Sequence, residues 1–163
     1  MLAVTHDVSL FSCGTPALDD WLKKRALGNQ QRGSTVVIVV HDANRVVGYY
    51  GLAPTAVMSE HVPRAIRGGQ PPNPVPCILL GQLATDSAWA GQEIGTALLK
   101  DALIRCVSGA RLIGGRALIV NALDVDAAAF WKRRGFVPSK DDPFTLFRSL
   151  ADIGASIDAS VRS

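Results

Sequence analysis

The chemistry this sequence suggests is concentrated where an apolar strand turns into a helix. Leu80-Gly-Gln-Leu-Ala-Thr-Asp-Ser-Ala-Trp-Ala-Gly-Gln-Glu-Ile-Gly-Thr-Ala-Leu-Leu99 runs from that strand through a turn containing Gly91 into a helix opening at Ile94-Gly95-Thr96. The first N–H groups of a helix have no acceptor within it and lie at the positive end of its dipole. Gln92, Glu93, Ile94, Gly95 and Thr96 therefore offer backbone donors suited to a pyrophosphate, and glycine lets the chain come close to the phosphates. The same glycines would equally serve close packing of strand on helix. Spacing alone leaves both readings open.

Other reactive side chains are scattered. Cys13, Cys77 and Cys106 are an odd number at irregular intervals, without a CxxC pair or a His–Cys cluster, so no metal site is expected. They read as buried, reduced thiols of a cytoplasmic protein. His6, His41 and His61 have no carboxylate at a telling spacing and are assigned no role. Lys132-Arg-Arg134 has two readings, cations offsetting a helix C-terminus or contacts to nucleic-acid phosphate, the latter joined by Lys23, Lys24, Arg25, Arg64 and Arg67.

The elements that must position the strand–helix turn follow from punctuation and periodicity. Thr15-Pro16 predicts a helix start with Thr15 as N-cap, and Leu18, Trp21, Leu22 and Ala26 give an apolar face over 16–31. Thr35 to His41 and Arg45 to Ala53 read as a hairpin. Five prolines and two adjacent glycines between Glu60 and Pro76 predict a loop, with a short helical turn near Arg64–Arg67. Val75 to Thr85 is a strand. Glu93 to Val107 is a helix with Ile94, Leu98, Ala102 and Cys106 in one row and Gly95, Leu99, Leu103 and Val107 in the next. Arg116 to Asn121 is a strand, Asp124 caps a helix running to Arg134 with Gly135 as its stop, and Phe144 to Leu150 is the last strand. With a strand placed ahead of the first helix, the order is β, α, β, β, β, α, β, α, β. That is an α/β fold with a mixed sheet.

The chain has 163 residues, 48% hydrophobic and 19% charged, with a net charge of +3. This fits one folded domain over 1–150 with a tail over 151–163, and excludes a disordered chain. No apolar run of about 18 residues predicts a membrane span, and the first residues lack the pattern of a signal peptide. The mild positive charge permits a polyanionic partner without requiring one.

Leu80–Leu99 resembles the coenzyme A motif of GNAT acetyltransferases, where Arg/Gln-x-x-Gly-x-Gly/Ala joins a strand to the next helix. Asp126-Ala-Ala-Ala-Phe-Trp-Lys-Arg-Arg-Gly-Phe136 resembles the later element Ala-x-x-Phe-Tyr-x-x-x-Gly-Phe of the same superfamily. The likeness extends to Phe11–Leu22, Val46–Leu52 and Pro138–Leu146, and the combination is similar to the GNAT toxins of bacterial toxin–antitoxin pairs. The resemblance implies a GNAT fold with acetyl-coenzyme A as cosubstrate and the amino group of aminoacyl-tRNA as acceptor. It also implies a ribbon–helix–helix antitoxin as partner and a homodimer. Backbone amides of Leu83, Ala84 and Thr85 would meet the acetyl carbonyl and pantetheine arm, and Gly91 to Thr96 the pyrophosphate. Asn121 would bond pantetheine amides or form a turn leading to Asp124. Phe130 would touch the coenzyme or fill the core.

Three departures from the pattern matter. Ala88 stands where the family has Arg or Gln. Glu93 stands where it usually has Gly, bringing a repulsion of about 1 kcal/mol to the phosphates. Trp131 stands where the family has its general-acid tyrosine. A tyrosine of pKa about 10 can hydrogen-bond the departing sulfur and protonate it, whereas an indole N–H only donates a hydrogen bond. A general acid contributes about 10²–10⁴-fold, so a slowed enzyme is expected. The competing readings are a GNAT enzyme for a small amine or peptide N-terminus, and an acetyl-coenzyme A-binding protein impaired in catalysis.

Overall fold

The computed structural model describes residues 1–162 of the chain. Its strands form a six-stranded mixed sheet in the order β1-β2-β3-β4-β6-β5, with helices flanking it. The chain divides into two compact units, the first comprising Met1–Ala53 and Leu80–Ala102, the second Pro54–Leu79 and the remainder from Leu103.

In the first unit, α1 (Pro16–Trp21), a π-helical turn (Leu22–Ala26) and α2 (Leu27–Gln31) form the expected helix over 16–31. Thr15 occupies the N-cap position, but its side chain caps nothing; its carbonyl accepts from the amides of Leu18 and Asp19 at 3.0 and 3.2 Å. Leu22 and Ala26 point into a core that also holds Phe11, Val37, Val46 and Tyr49, while Lys23, Lys24 and Arg25 face solvent. Trp21 stacks on Tyr49 at 5.9 Å, and the Tyr49 hydroxyl donates to the Leu18 carbonyl at 2.7 Å.

β1 (Val36–Asp42) pairs antiparallel with β2 (Arg45–Val57). Both turn residues between them, Ala43 and Asn44, have positive φ (48° and 72°), the handedness that matches a two-residue hairpin to strand twist. The strand expected before the first helix is absent. Residues 1–10 contribute only a single parallel bridge, Asp7 to Arg45. Local side-chain bonds explain this: Asp7 Oδ1 accepts from the Ser9 amide at 2.9 Å, and His6 Nδ1 from the Ala3 amide at 2.9 Å, drawing the segment into turns.

β3 (Val75–Thr85) has the bounds read from the sequence, and its Leu80–Thr85 half belongs to this unit with the start of α4 (Ile94–Ile113). Gly48 sets their spacing. A Cβ there would lie 2.9 Å from Leu98 and 3.0 Å from Ile94, so only glycine on β2 lets the first turns of α4 settle so closely.

The second unit is built on β4 (Ala117–Asn121), α5 (Val125–Lys132), β5 (Val137–Pro138) and β6 (Thr145–Ser149). β6 pairs antiparallel with β4, from Ala117–Ser149 to Asn121–Thr145, and with β5. Val62, Ile66, Cys77, Ile119 and Phe147 form its core, with Ile66 supplied by α3 (Arg64–Arg67). Asp124 caps α5 through the Ala127 amide at 2.8 Å. The segment read as a tail carries a helix, α6 (Leu150–Arg162), whose Leu150 and Ile153 are buried. Among the described residues no helix is long and apolar enough to cross a membrane.

Candidate functional site

The turn between β3 and α4 is fastened by Asp86, a buried carboxylate with 2% exposure. It accepts from the Ala88 amide at 2.9 Å and the Ser12 amide at 3.1 Å, and lies 3.6 Å from the Arg45 guanidinium. Its own amide donates to the Val47 carbonyl at 2.8 Å, and the Ser87 amide to Ser12 at 2.8 Å. Ala88, where a family arginine or glutamine would stand, thus spends its backbone N–H on the turn itself.

After this anchor the backbone turns left-handed twice. Gly91 (φ 81°) and Glu93 (φ 62°) are left-handed, and Gln92 between them is not. Such alternation turns successive N–H groups toward one side, making a concavity that suits an anion. All three residues are exposed. A Cβ at Gly91 would meet nothing within 4 Å, so the approach is open. The Ala97 amide donates to the Glu93 carbonyl at 3.0 Å, the first bond of the α4 ladder. The amides of Ile94, Gly95 and Thr96 precede it and have no helical acceptor. They form the positive end of a 20-residue helix. These residues fit a pyrophosphate.

Leu83 and Thr85 are half-buried at the end of β3. The Ala84 side chain belongs to the first core, which leaves only its backbone to a ligand. A Cβ at Gly95 would sit 3.4 Å from Thr85 Oγ1, in contact with the strand end. Leu83 to Thr85 and Gly91 to Thr96 thus share the first unit.

Asn121, Phe130 and Trp131 fall in the second unit. Asn121 is exposed at the end of β4, and its Oδ1 accepts from the Thr145 hydroxyl at 3.3 Å. Trp131 is buried, with the rings of Phe130 and Phe136 each meeting it edge-on at 5.0 Å. One face of Phe130 is covered by the Arg134 guanidinium, 3.5 Å from the ring centroid, which also donates to the Phe130 carbonyl at 3.0 Å. Arg134 is therefore engaged with its own helix, whereas Lys132 and Arg133 are exposed.

A residue passed over in the sequence lies in the same unit. His61 Nδ1 is 2.5 Å from Asp141 Oδ2, and Nε2 is 3.6 Å from Glu60. The hydrogen bond to Asp141 raises its pKa, burial opposes this, and the charges of Asp141 and Glu60 add to the rise. The Ser139 hydroxyl donates to the His61 carbonyl at 2.9 Å. His61, Asn121 and Asp141 line a cavity of about 310 Å³ whose apolar wall includes Val57, Leu79, Ile119 and Phe147. His61 and Asp141 are 80 positions apart, so no local spacing in the sequence could pair them.

The thiols take no part. Burial pushes Cys77 up to about 11 and Cys106 up to about 12, and raises Cys13 as well. Among the described residues no group of three or more His, Cys, Asp or Glu could hold a metal ion.

The family model described as an acetyltransferase (GNAT) domain matches residues 32–138. The chain is 43% identical over 151 residues to a tRNA-acetylating toxin of Mycobacterium tuberculosis, covering 93% of this chain and 90% of that protein. Among solved structures, a mutant AtaT toxin bound to acetyl-CoA and the C-terminus of its antitoxin AtaR superposes with a TM-score of 0.75 at 28% identity, over 91% of this chain and 88% of that one. AtaT complexed with acetyl-methionyl-tRNAfMet gives a TM-score of 0.84 at 24% identity, over 95% and 94%, and bears on the fold alone. The turn that fits a pyrophosphate, the mixed sheet and these likenesses agree: the chain belongs to the GNAT acetyltransferase family and is an N-acetyltransferase that uses acetyl-CoA.

Proposed function

We propose that this chain is a toxin that acetylates the amino group of aminoacyl-tRNA and so arrests translation. The observation that carries the reading is the 43% identity, along nearly the whole chain, to a protein named for acetylating tRNA. Acetyl-CoA supplies a thioester whose carbonyl an amine can attack. The backbone donors from Gln92 to Thr96 hold the pyrophosphate, and the strand-end amides of Leu83 to Thr85 meet the pantetheine arm and acetyl carbonyl. Holding the reactants in this way is itself a large part of the rate gain. At the tyrosine position Trp131 offers an indole N–H, which stabilises the departing thiolate without protonating it.

The exposed cations Lys23, Arg25, Arg64, Lys132 and Arg133 suit a phosphate backbone. Lys24 is paired with Asp20 at 3.7 Å, and Arg67 donates to the Ser59 carbonyl at 3.3 Å, so these two are partly committed. A substrate of this kind places the protein in the cytoplasm. By likeness to AtaT bound to AtaR, we assign it an antitoxin partner; the ribbon–helix–helix type of that partner and a homodimeric state rest on the family resemblance of the sequence alone.

Incubation with labelled acetyl-CoA and total charged tRNA tests the proposal. Label entering the aminoacyl end supports it. If label enters small amines but no charged tRNA, the substrate assignment is wrong. If the coenzyme binds yet transfer appears only in Trp131→Tyr, the native chain is a binding protein.

A further inference from the structure

Asp86 divides its two oxygens between the turn after β3 and the body of the first unit. Oδ1 accepts from the Ala88 amide at 2.9 Å, inside the turn. Oδ2 accepts from the Ser12 amide at 3.1 Å and lies 3.6 Å from Nη2 of Arg45, the first residue of β2. The rotation of the carboxylate, and with it the place of Ala88, is therefore set by two groups outside the turn. Of these two, only Arg45 acts through its side chain.

Arg45 is itself held in place. The Asp7 amide donates to the Asn44 carbonyl at 2.7 Å and the Val46 amide to the Asp7 carbonyl at 2.9 Å, so the chain is clipped on either side of Arg45. The Asp7 carboxylate is engaged with Ser9, its Oδ1 accepting from the amide at 2.9 Å and the hydroxyl at 2.6 Å. Asp86 is thus the carboxylate that the guanidinium contacts. As a device for stability the contact is poor. At 3.6 Å it is too long for a hydrogen bond, 38% of the Arg45 side chain is exposed, and its buried Nε meets no acceptor among the described residues. A part-exposed ion pair contributes little to folding, and an unpaired buried donor subtracts from it. What the arrangement does supply is a fixed cation against a buried carboxylate at the root of the turn.

We propose that Arg45 is a positioning residue for acetyl-CoA: by orienting Asp86 it fixes the turn that leads into Gly91 to Thr96, where the pyrophosphate is held. This rests on the reading of that stretch as the pyrophosphate site. Without Arg45 the carboxylate rotates more freely, its bond to the Ala88 amide weakens, and the donors that follow lose their common aim. The effect falls on binding of the coenzyme, and so on KM for acetyl-CoA with kcat unchanged. Leu83 to Thr85 precede Asp86 and belong to β3, so a ligand that uses only those amides is indifferent to Arg45.

The test measures the affinity of wild type, Arg45→Gln and Arg45→Met for acetyl-CoA and for acetyl-pantetheine, which has no pyrophosphate, by amide NMR titration. Two variants are made so that the comparison survives if one fails to fold. Acetyl-CoA should bind either variant about 5-fold more weakly, the upper end of what such an ion pair contributes, while acetyl-pantetheine binds as it does to wild type. The Ala88 amide signal of the unliganded variants should be displaced. The loss should persist at about 1 M salt, where the screening length is about 3 Å, because geometry is not screened. A loss that vanishes in salt overturns the proposal, since Arg45 would then act only as a distant charge on the phosphates. Wild-type acetyl-CoA affinity in a folded variant, or equal weakening of both ligands, overturns it as well. If wild type itself binds the two ligands equally, the pyrophosphate reading fails and takes the proposal with it.

Discussion

Glu93 holds a left-handed backbone conformation at the mouth of the proposed pyrophosphate site, so replacing it separates two effects. At φ 62° a side chain costs about 1 kcal/mol that glycine avoids. Glycine returns a similar amount as extra freedom of the unfolded chain, about 0.5–1 kcal/mol, so Glu93→Gly should change folding stability by less than about 0.5 kcal/mol. Its effect on the ligand is different. A carboxylate about 6 Å from a doubly charged pyrophosphate in water is repelled by about 1.4 kcal/mol before screening and about 0.7 kcal/mol after it. Removing it should tighten acetyl-CoA about 3-fold. Glu93→Gln keeps the side chain and removes only the charge, so it should give most of the same gain. Titration calorimetry reads both, and the gap to wild type should narrow when salt is raised to about 1 M, where the screening length is about 3 Å. If neither variant binds acetyl-CoA more tightly at low salt, the phosphates do not lie beside this turn.

Asp86→Ala should cost about 2–4 kcal/mol in urea unfolding, because the Ser12 amide and Arg45 lose their shared acceptor; a loss below about 0.5 kcal/mol would refute its anchoring role. Trp131→Tyr should raise kcat for acetyl transfer at least about 10-fold by restoring a proton source, while Trp131→Phe should lower it; an unchanged rate in the phenylalanine variant would remove any role for the indole. At about pH 8, native protein should react with a thiol reagent at Cys13 first, since Cys77 and Cys106 stay protonated with pKa values pushed up to about 11 and about 12. All three should react in urea, as mass spectrometry would count; rapid native labelling of Cys106 would contradict its burial.

Where local physics decides, the chain can be read directly. The run from Val75 to Thr85 has no competing pattern and forms a strand with those bounds, and Asp124 and Gly135 punctuate α5 as their types require. The stretch from Gly91 to Thr96 was legible as a candidate anion site, and its left-handed turns at Gly91 and Glu93 give that reading a geometry. Three things were not legible. Residues 1–10 have strand-like composition, but His6 and Asp7 bond to their own backbone. The helix α6 is rich in alanine and serine, and a few large apolar residues, Leu150, Ile153, Ile157 and Val161, are all that hint at its face. His61 acquires its partner from the loop between β5 and β6, 80 positions away, a pairing that only the tertiary fold creates.

If backbone amides at the start of α4 grip the pyrophosphate of acetyl-CoA, an amide-resolved NMR titration will register it, comparing acetyl-CoA with acetyl-pantetheine, which has no pyrophosphate. The amide signals of Ile94, Gly95 and Thr96 should move strongly with the coenzyme and hardly at all with acetyl-pantetheine. Equal shifts with both ligands, or none with either, would mean that these amides do not hold the pyrophosphate.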